Sequence, residues 1–300
     1  MPPDPMHNRA LELELAPTGE HNARAPALAT RLESMATHAL FDELALYPKP
    51  GLVSLRDAGA HRDMDASTFI RSLFSLRRYF FAIAIAGAHG ARFAELCRLG
   101  VRAEARMLEA TGGINTHRGA IFALGLLVAS AARVLVQKLR PADDTLRETL
   151  EALYGKDLRA GSDAAITSSH GAIVASRHGA GGARFEAAAG FPSVFEIALP
   201  ELRACLARFG DVRRARIAAL FALLEHVADT NVLYRGGRTG LRFMQSSARE
   251  YRRSGGVAND RDFARARCLH AAFVERGLSA GGCADLLAAA LFVHSLQRRP

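Results

Sequence analysis

The stretch that decides the fold runs from Gly100 to Leu127 and reads GVRAEARMLEATGGINTHRGAIFALGLL. Its first half has apolar residues at helical spacing. The glycine pair at 112–113 predicts where that helix ends, because paired glycines cost helix stability and adopt backbone angles that other residues rarely reach. The second half is almost wholly apolar, which is typical of a buried helix. The stretch therefore predicts two helices joined by a polar, glycine-rich turn.

The turn between these two helices has the residues of an anion site. Asn115 and Thr116 are of the types that cap a helix N-terminus. His117 and Arg118 follow in the first turn, where backbone N–H groups are unpaired and the helix dipole is positive. We therefore expect phosphate groups to bind at this junction.

Helical periodicity dominates the rest of the chain, and no convincing alternating strand longer than a few residues is found. The predicted fold class is all-α: a single compact multi-helix domain at 28–300, preceded by a disordered or loosely packed extension at 1–27. The predicted helices cover 28–46, 66–88, 92–109, 120–136, 143–154, 159–178, 192–209, 212–228, 238–251 and 260–275, with a last one after 283. The apolar run at 120–136 contains Gly125, Ser130 and Arg133, so we interpret it as a central buried helix that falls short of a membrane span.

Composition narrows the class of function. The four cysteines form no C-x-x-C pair, which argues against a zinc ribbon or redox motif and favours a reduced, cytoplasmic setting. The net charge is +9, but arginines are spread along the chain and tryptophan is absent. This pattern favours a compact polyanionic ligand over a nucleic-acid strand. The sequence has no Walker loop, Rossmann fingerprint or nucleophile elbow.

Four loop-to-helix junctions each combine a carboxylate with glycine and, mostly, a basic residue. They lie at 59–65, 104–119, 229–237 and 281–285. Taken singly, their acids have ordinary explanations, because acids cap helices, complement helix dipoles and populate solvated faces. If the junctions converge at one end of a bundle, the acids can hold Mg²⁺ through oxygen ligands. Lys49, Arg118 and Arg235 can then bind phosphates together with the helix N-termini.

Several short motifs, taken in order, resemble the triphosphoribosyl-dephospho-CoA synthase family. They are PKPGLV at 48–53, GAHRDMD at 59–65, Glu104 with TGGINTHRG at 111–119, GFP at 190–192, DTN at 229–231 with RGG at 235–237, and GGCADLL at 281–287. The resemblance covers nearly the whole chain after residue 30. The sequence departs from the family pattern at Arg118, Phe185, Ala280 and Cys283.

The resemblance implies a transferase that makes 2′-(5″-triphosphoribosyl)-3′-dephospho-CoA and adenine from ATP and 3′-dephospho-CoA, with Mg²⁺ as cofactor. The product would pass to a second transferase that acts on the acyl carrier subunit of malonate decarboxylase or citrate lyase. We expect malonate decarboxylase, because the chain is free-standing and rich in arginine. We expect no nucleic-acid or membrane partner, and we leave a homodimer open.

The resemblance also implies roles for particular residues. Catalysis is assigned to Asp63, Asp65, Glu104 and Asp229, and Mg²⁺ binding to Asp65, Glu104 and Asp229. Substrate binding is assigned to Lys49, His61, Thr111, Gly112, Gly113, Asn115, Thr116, His117, Arg118, Asn231, Arg235, Gly281, Gly282 and Asp285. Two other classes stay open, a metal-dependent N-glycosidic hydrolase and a carrier-binding module without chemistry.

Overall fold

The computed structural model describes residues 19–160 and 182–298, with side chains from residue 23 onward. These residues form helices and no β-strand, which confirms the predicted all-α class. The helices are α1 (Gly19–Ala45), α2 (Ala66–Ala88), α3 (Phe93–Thr111), α4 (Arg118–Val136), α5 (Asp143–Leu150), α6 (Lys156–Ala160), α7 (Gly182–Ala188), α8 (Leu199–Phe209), α9 (Val212–His226), α10 (Thr230–Arg253), α11 (Asp260–Glu275) and α12 (Gly281–Arg298). Two π-helical turns, Glu151–Gly155 and Ser193–Ala198, lie between α5 and α6 and before α8.

The helix bounds agree closely with the sequence prediction in most places. Helices α2 and α11 have the predicted bounds, whereas α1 begins well before residue 28. Helix α10 extends from Thr230 through the predicted helix at 238–251, with a bend at Gly237, whose φ is 59° and ψ is −160°. The predicted helix at 159–178 lies outside the described residues beyond residue 160, as does the predicted extension before residue 19.

Two buried helices form the centre of the fold. Nearly every residue of α4 is buried, and α12 is buried from Leu286 to Val293. They pack against each other, and α1 contacts both of them while α2 covers α4. Contrary to the sequence interpretation, α4 is long and apolar enough to span a membrane, with a mean hydropathy of 2.1, but 83% of that segment is buried inside the protein. Its apolar composition is accounted for by this packing.

Two predicted helix ends are confirmed in atomic detail. Helix α3 ends at Gly112, which has a left-handed φ of 67°, and Gly113 N donates to Leu108 O over 2.7 Å. Helix α2 begins after Asp65, whose carboxylate accepts from Thr68 N over 2.9 Å. These ends fix the loops that lead into α2 and α4, and both loops reach the cavity described next.

Candidate active site

A cavity of about 1400 Å³ is lined by residues from all four predicted junctions. The loop before α2 contributes His61 and Asp63, and the other three junctions contribute residues at 115–119, 228–231 and 281–282. The predicted convergence of the junctions on one site is therefore confirmed. A second cavity of about 580 Å³, beside Glu250 and Cys268, is lined by none of the predicted site residues.

The N-termini of three helices, α4, α10 and α12, border this cavity. Such ends carry positive partial charge and favour anions. Two of the chain's own carboxylates, those of Asp229 and Asp285, already occupy part of these ends. The anion site predicted at the helix termini is thus partly occupied by carboxylates of the protein itself.

Asp229 joins two of these helix ends. Its Oδ1 accepts from Asn231 N and Val232 N over 2.8 and 3.1 Å, and its Oδ2 accepts from Cys283 N over 2.8 Å. Burial raises the pKa of Asp229, although the three N–H donors oppose that shift. A side chain at Gly282 would crowd this contact, since a Cβ there would lie 3.0 Å from Asp229 Oδ2, and a Cβ at Gly281 would crowd the Asn231 amide. Asp229 therefore holds α10 and α12 together.

Asp285 lies over the start of α4. Its carboxylate accepts from Ala120 N, and a Cβ on Gly119 would overlap its Oδ2 atom. Burial, reinforced by the nearby acids Glu43 and Asp229, raises the pKa of Asp285 well above its usual range. Because the side chain is partly exposed to the cavity, it is an acid that can exchange a proton with a ligand there.

Lys49 differs from its predicted role in anion binding. The side chain is 1% exposed, and its ammonium donates to Glu43 Oε1 over 2.5 Å and to Glu43 O over 2.7 Å. Burial lowers the pKa of Lys49, and Glu43 opposes that shift. Glu43 lines the cavity and Lys49 does not, so the lysine compensates the charge of a cavity acid instead of meeting a phosphate.

His61 and Arg235 form a polar group at the cavity wall. His61 Nε2 lies 2.9 Å from Ser279 Oγ, and Arg235 Nη2 lies 3.1 Å from His61 Nδ1. Burial and the Arg235 charge lower the pKa of His61. Arg235 also donates to the carbonyl oxygens of Ala60 and Gly277, so it ties the loops before α2 and α12 to α10. Asp63, which is 62% exposed, lies 3.6 Å from His61 Nδ1.

Glu104 and Arg118 form an ion pair across the α3–α4 turn, and both side chains are partly exposed. The N-cap of α4 is His117, which makes no side-chain cap bond, and not Asn115 or Thr116 as predicted. Asn115 Oδ1 still accepts from Arg118 N over 3.2 Å at the start of the helix. Thr116 and His117 line the cavity beside them, and His117 itself is almost wholly buried.

Asp65, Thr111, Gly112 and Gly113 are not among the residues that line the cavity. Asp65 caps α2, and its pKa is lowered to about 2 by the N–H of Thr68 and by hydroxyl donors. Thr111 Oγ1 donates to backbone carbonyls at the end of α3. Their positions give these residues turn and capping functions, and their roles in substrate binding or catalysis stay predictions.

The predicted Mg²⁺ ligands do not come together. Asp65 caps α2, Glu104 pairs with Arg118, and Asp229 is bonded to three backbone N–H groups. In the part of the chain that the structure describes, no three His, Cys, Asp or Glu side chains are grouped so as to hold a metal ion. The donor set therefore does not fit a metal held by these three acids.

Sequence reasoning missed several residues of the cavity wall. Glu43 is one of them. It stands in line with the apolar stripe of α1, and a charged residue at such a position can indicate a functional site. One face of α3 is another, because Phe93, Leu96, Cys97 and Val101 line the cavity at helical spacing up to Glu104. Two apolar side chains of the cavity lining are also exposed, Val101 on α3 at 69% and Phe185 on α7 at 63%. Such exposure is typical of a ligand-binding groove.

Comparison with known proteins gives a consistent family. Residues 29–300 match the family described as ATP:dephospho-CoA triphosphoribosyl transferase. A probable 2-(5″-triphosphoribosyl)-3′-dephosphocoenzyme-A synthase of Azotobacter vinelandii is 43% identical over 278 residues, covering 91% of this chain and 93% of that protein. Proteins of the same name from Pseudomonas fluorescens Pf-5 and Acinetobacter calcoaceticus are 42% and 36% identical, covering 91% and 90% of this chain and 93% and 92% of theirs. No solved structure matches the chain.

Proposed function

The chain belongs to the ATP:dephospho-CoA triphosphoribosyl transferase family, and on that premise we propose that it transfers the triphosphoribosyl group of ATP to the ribose 2′-hydroxyl of 3′-dephospho-CoA. Adenine leaves, and the triphosphate stays intact. The reaction is a glycosyl transfer, in which the C1′–N9 bond of ATP breaks and a bond from the acceptor oxygen to C1′ forms.

This proposal rests on the lining of one cavity, which is partly polar and partly apolar. Its polar lining combines Arg235 with three helix N-termini that the carboxylates of Asp229 and Asp285 occupy only in part, which suits polyphosphate groups. The apolar face of α3 lines the same cavity and suits the less polar pantetheine arm of the acceptor. A volume of about 1400 Å³ exceeds the range of about 300–1000 Å³ typical of sites for one small ligand. Two substrates therefore have room to meet.

Asp285 is the carboxylate best suited to accept the proton of the 2′-hydroxyl. Burial raises its pKa, and a carboxylate with a raised pKa is a stronger base once it has lost its proton. Glu104, another partly exposed acid of the cavity, is neutralised by Arg118. We expect Asp285→Asn to lower kcat by about 100-fold or more, and Glu104→Gln to act mainly through KM. If Glu104→Gln lowers kcat more than Asp285→Asn does, Glu104 is the base instead.

The test of the function is an incubation with ATP and Mg²⁺, with and without 3′-dephospho-CoA, that follows adenine and the mass of the acceptor. Adenine that forms only with acceptor, together with a triphosphoribosyl mass gain, supports the transferase. Adenine without acceptor would instead indicate a hydrolase. If neither tube yields adenine, the proposal fails in favour of a binding module.

The cofactor, client and location remain proposals. We propose that Mg²⁺ enters bound to the triphosphate, because Mg²⁺ usually keeps several waters and few protein ligands. We also propose malonate decarboxylase as the client and the cytoplasm as the location, supported by the arginine-rich, disulfide-free composition. Reconstitution of the carrier subunit of malonate decarboxylase, compared with that of citrate lyase, tests the client directly.

A further inference from the structure

The side chain of His117 is held by a short chain of hydroxyl groups. Thr116 Oγ1 donates to Ser72 Oγ over 2.7 Å, and Ser72 Oγ lies 2.6 Å from His117 Nδ1. A serine hydroxyl has one proton to donate, and here one of its lone pairs already accepts the proton of Thr116. Nδ1 is then the acceptor within reach of the remaining Ser72 proton, and we assign that proton to the Ser72–Nδ1 hydrogen bond. In a neutral imidazole, this leaves the ring proton on Nε2.

The same ring is neutral, and its Nε2 has no partner. Burial and the nearby Lys49 ammonium lower the pKa of His117 to about 3. The residue is 3% exposed, and no group in the described residues hydrogen-bonds to Nε2. An N–H left unpaired at this depth is unfavourable, because it has lost its hydrogen bond to water. His117 lines the cavity at the N-cap of α4. Its Nε2 is itself shielded from solvent, so a ligand in the cavity becomes the partner of this N–H once the side chains around the ring shift to admit it.

Resting on the proposed transfer reaction, we propose that His117 is a catalytic residue whose neutral Nε2–H donates a hydrogen bond to a ring nitrogen of the purine that leaves ATP. This role differs from the phosphate contact expected from the sequence, because a neutral ring offers no charge to an anion. It requires the Nε2–H tautomer, which is the one assigned from the Thr116–Ser72 chain.

The transfer step with His117 as donor conserves bonds, electrons and protons. As the C1′–N9 bond breaks, its electron pair stays with the purine, while an electron pair of the acceptor oxygen forms the new bond to C1′. A fixed donor stabilises the negative charge that develops on the purine in the transition state. A neutral imidazole at a helix N-terminus can serve as such a donor. The proton lost by the 2′-hydroxyl equals the one adenine takes up, and His117 keeps its own.

The first test measures the tautomer in the unmodified full chain. Histidine labelled with ¹⁵N is observed through two-bond ¹H–¹⁵N correlations, and His117→Gln identifies the His117 signals. We expect the Nε2–H pattern at pH 7. ATP without acceptor should shift the Hε2 signal, and inorganic tripolyphosphate should not. An Nδ1–H or doubly protonated ring, or an equal shift with tripolyphosphate, overturns the proposal. Because no turnover is needed, this result is independent of any failure of the transfer reaction.

The second test separates the leaving group from the phosphates. ATP is compared with N7-methyl-ATP, whose base leaves as a neutral molecule and needs no donor. We expect His117→Ala to lower kcat with ATP by about 100–1000-fold and with N7-methyl-ATP by less than about tenfold. His117→Gln, which retains an N–H donor, should recover part of the loss. Equal losses with both nucleotides would contradict the proposal.

The positioning role of Ser72 has its own control. Ser72→Ala leaves the imidazole in place but frees its tautomer, so the Nδ1–H pattern should appear in the spectrum and kcat should fall while KM for ATP stays constant. Ser75→Ala is the matched control, because Ser75 Oγ donates to Ser72 O on the same helix and does not touch the ring. An unchanged tautomer in Ser72→Ala would show that the hydroxyl chain does not set it.

Discussion

At the scale of single residues, the acids of the cavity divide by what their oxygens contact. Asp229 is bonded to three backbone N–H groups, whereas Asp285 meets one and is partly exposed to the cavity. The first arrangement stabilises structure, and the second leaves lone pairs for a ligand. The sequence could find both acids, since each stands at a helix start. It could not rank them, because the difference depends on contacts between segments more than 50 residues apart.

Asp229→Ala should destabilise the fold strongly. The change leaves three N–H groups at two helix ends without their acceptor, and we expect the free energy of unfolding to fall by about 3 kcal/mol. Asp211→Ala is the matched control, because Asp211 caps α9 alone through Arg213 N and Arg214 N and should cost about 1 kcal/mol. Urea unfolding measures both. Similar losses for the two variants would refute the bridging role of Asp229.

The pH dependence of stability should have opposite signs at Asp285 and Asp65. An unfolded aspartate loses its proton near pH 4. Folded Asp285 keeps its proton to higher pH, so stability falls as pH rises from about 4 through the folded pKa. Folded Asp65, with a pKa of about 2, contributes stability above pH 4 that is lost as pH falls through 2.

Urea unfolding of Asp285→Asn and Asp65→Asn between pH 2 and pH 8 tests these signs. Asp285→Asn should gain stability relative to the parent chain as pH rises above 4. Asp65→Asn should lose stability relative to the parent chain above pH 4, and the difference should shrink towards pH 2. Parallel curves for a variant and its parent would contradict the assignment for that residue.

At the scale of elements, capping residues, glycines and apolar periodicity predicted most helices. These local signals failed where contacts between distant segments determine the structure. The cap at Asp65 and the glycine pair at 112–113 fixed the adjoining helix ends correctly. Helix α10 was missed from Thr230 to Gly237, because its glycine pair reads as a loop while Asp229 caps it as a helix. The face that α3 turns to the cavity was missed because an apolar stripe indicates a core as readily as a groove.

Gly119→Ala should destabilise the protein at the start of α4, whereas Gly100→Ala on α3 should not. A Cβ at Gly119 would overlap the Asp285 carboxylate, and such overpacking costs about 1–3 kcal/mol. At Gly100 the nearest atom lies 3.9 Å away, so alanine in that helix should stabilise by about 0.5–1 kcal/mol. Thermal and urea unfolding check both. Equal stability changes would argue against the close contact of α4 with Asp285.

The acceptor should protect Cys97 on α3 from alkylation. Cys97 lines the apolar part of the cavity, and Cys268, which is also exposed, lies in the second cavity and is the internal control. Burial raises the pKa of Cys97, so maleimide is used at pH 8 with peptide mapping. S-methylated 3′-dephospho-CoA should slow labelling of Cys97 only, and tripolyphosphate should slow neither. Protection by tripolyphosphate would place phosphates on α3 instead.

At the scale of the whole molecule, the sequence supplied the convergence of junctions but not the interior of the site. The pairing of Lys49 with Glu43 and of Glu104 with Arg118 arises from contacts that periodicity does not specify. These pairs neutralise groups that the sequence assigned to ligands. Motif order therefore located the cavity, and three-dimensional packing determined which of its charges remain for substrates.

The net charge of +9 should steer anionic substrates to the protein. Salt screens such attraction, so raising NaCl from 20 to 500 mM should lower kcat/KM for ATP by about tenfold. The value of kcat should change little, because groups inside the cavity are shielded from bulk ions. Steady-state kinetics across the salt series test this. A parallel fall in kcat would locate the salt effect in the chemical step.

The walls of the cavity come from residues as far apart as Leu40 and Ala288, and this spread has a consequence for biosynthesis. Asp229 can meet Cys283 N only after α12 has left the ribosome. Until then the nascent chain exposes the apolar faces that α12 covers and has no complete pocket for a nucleotide. The pocket is therefore incomplete until α12 has been made, and we expect a fragment that stops before Gly281 not to bind ATP.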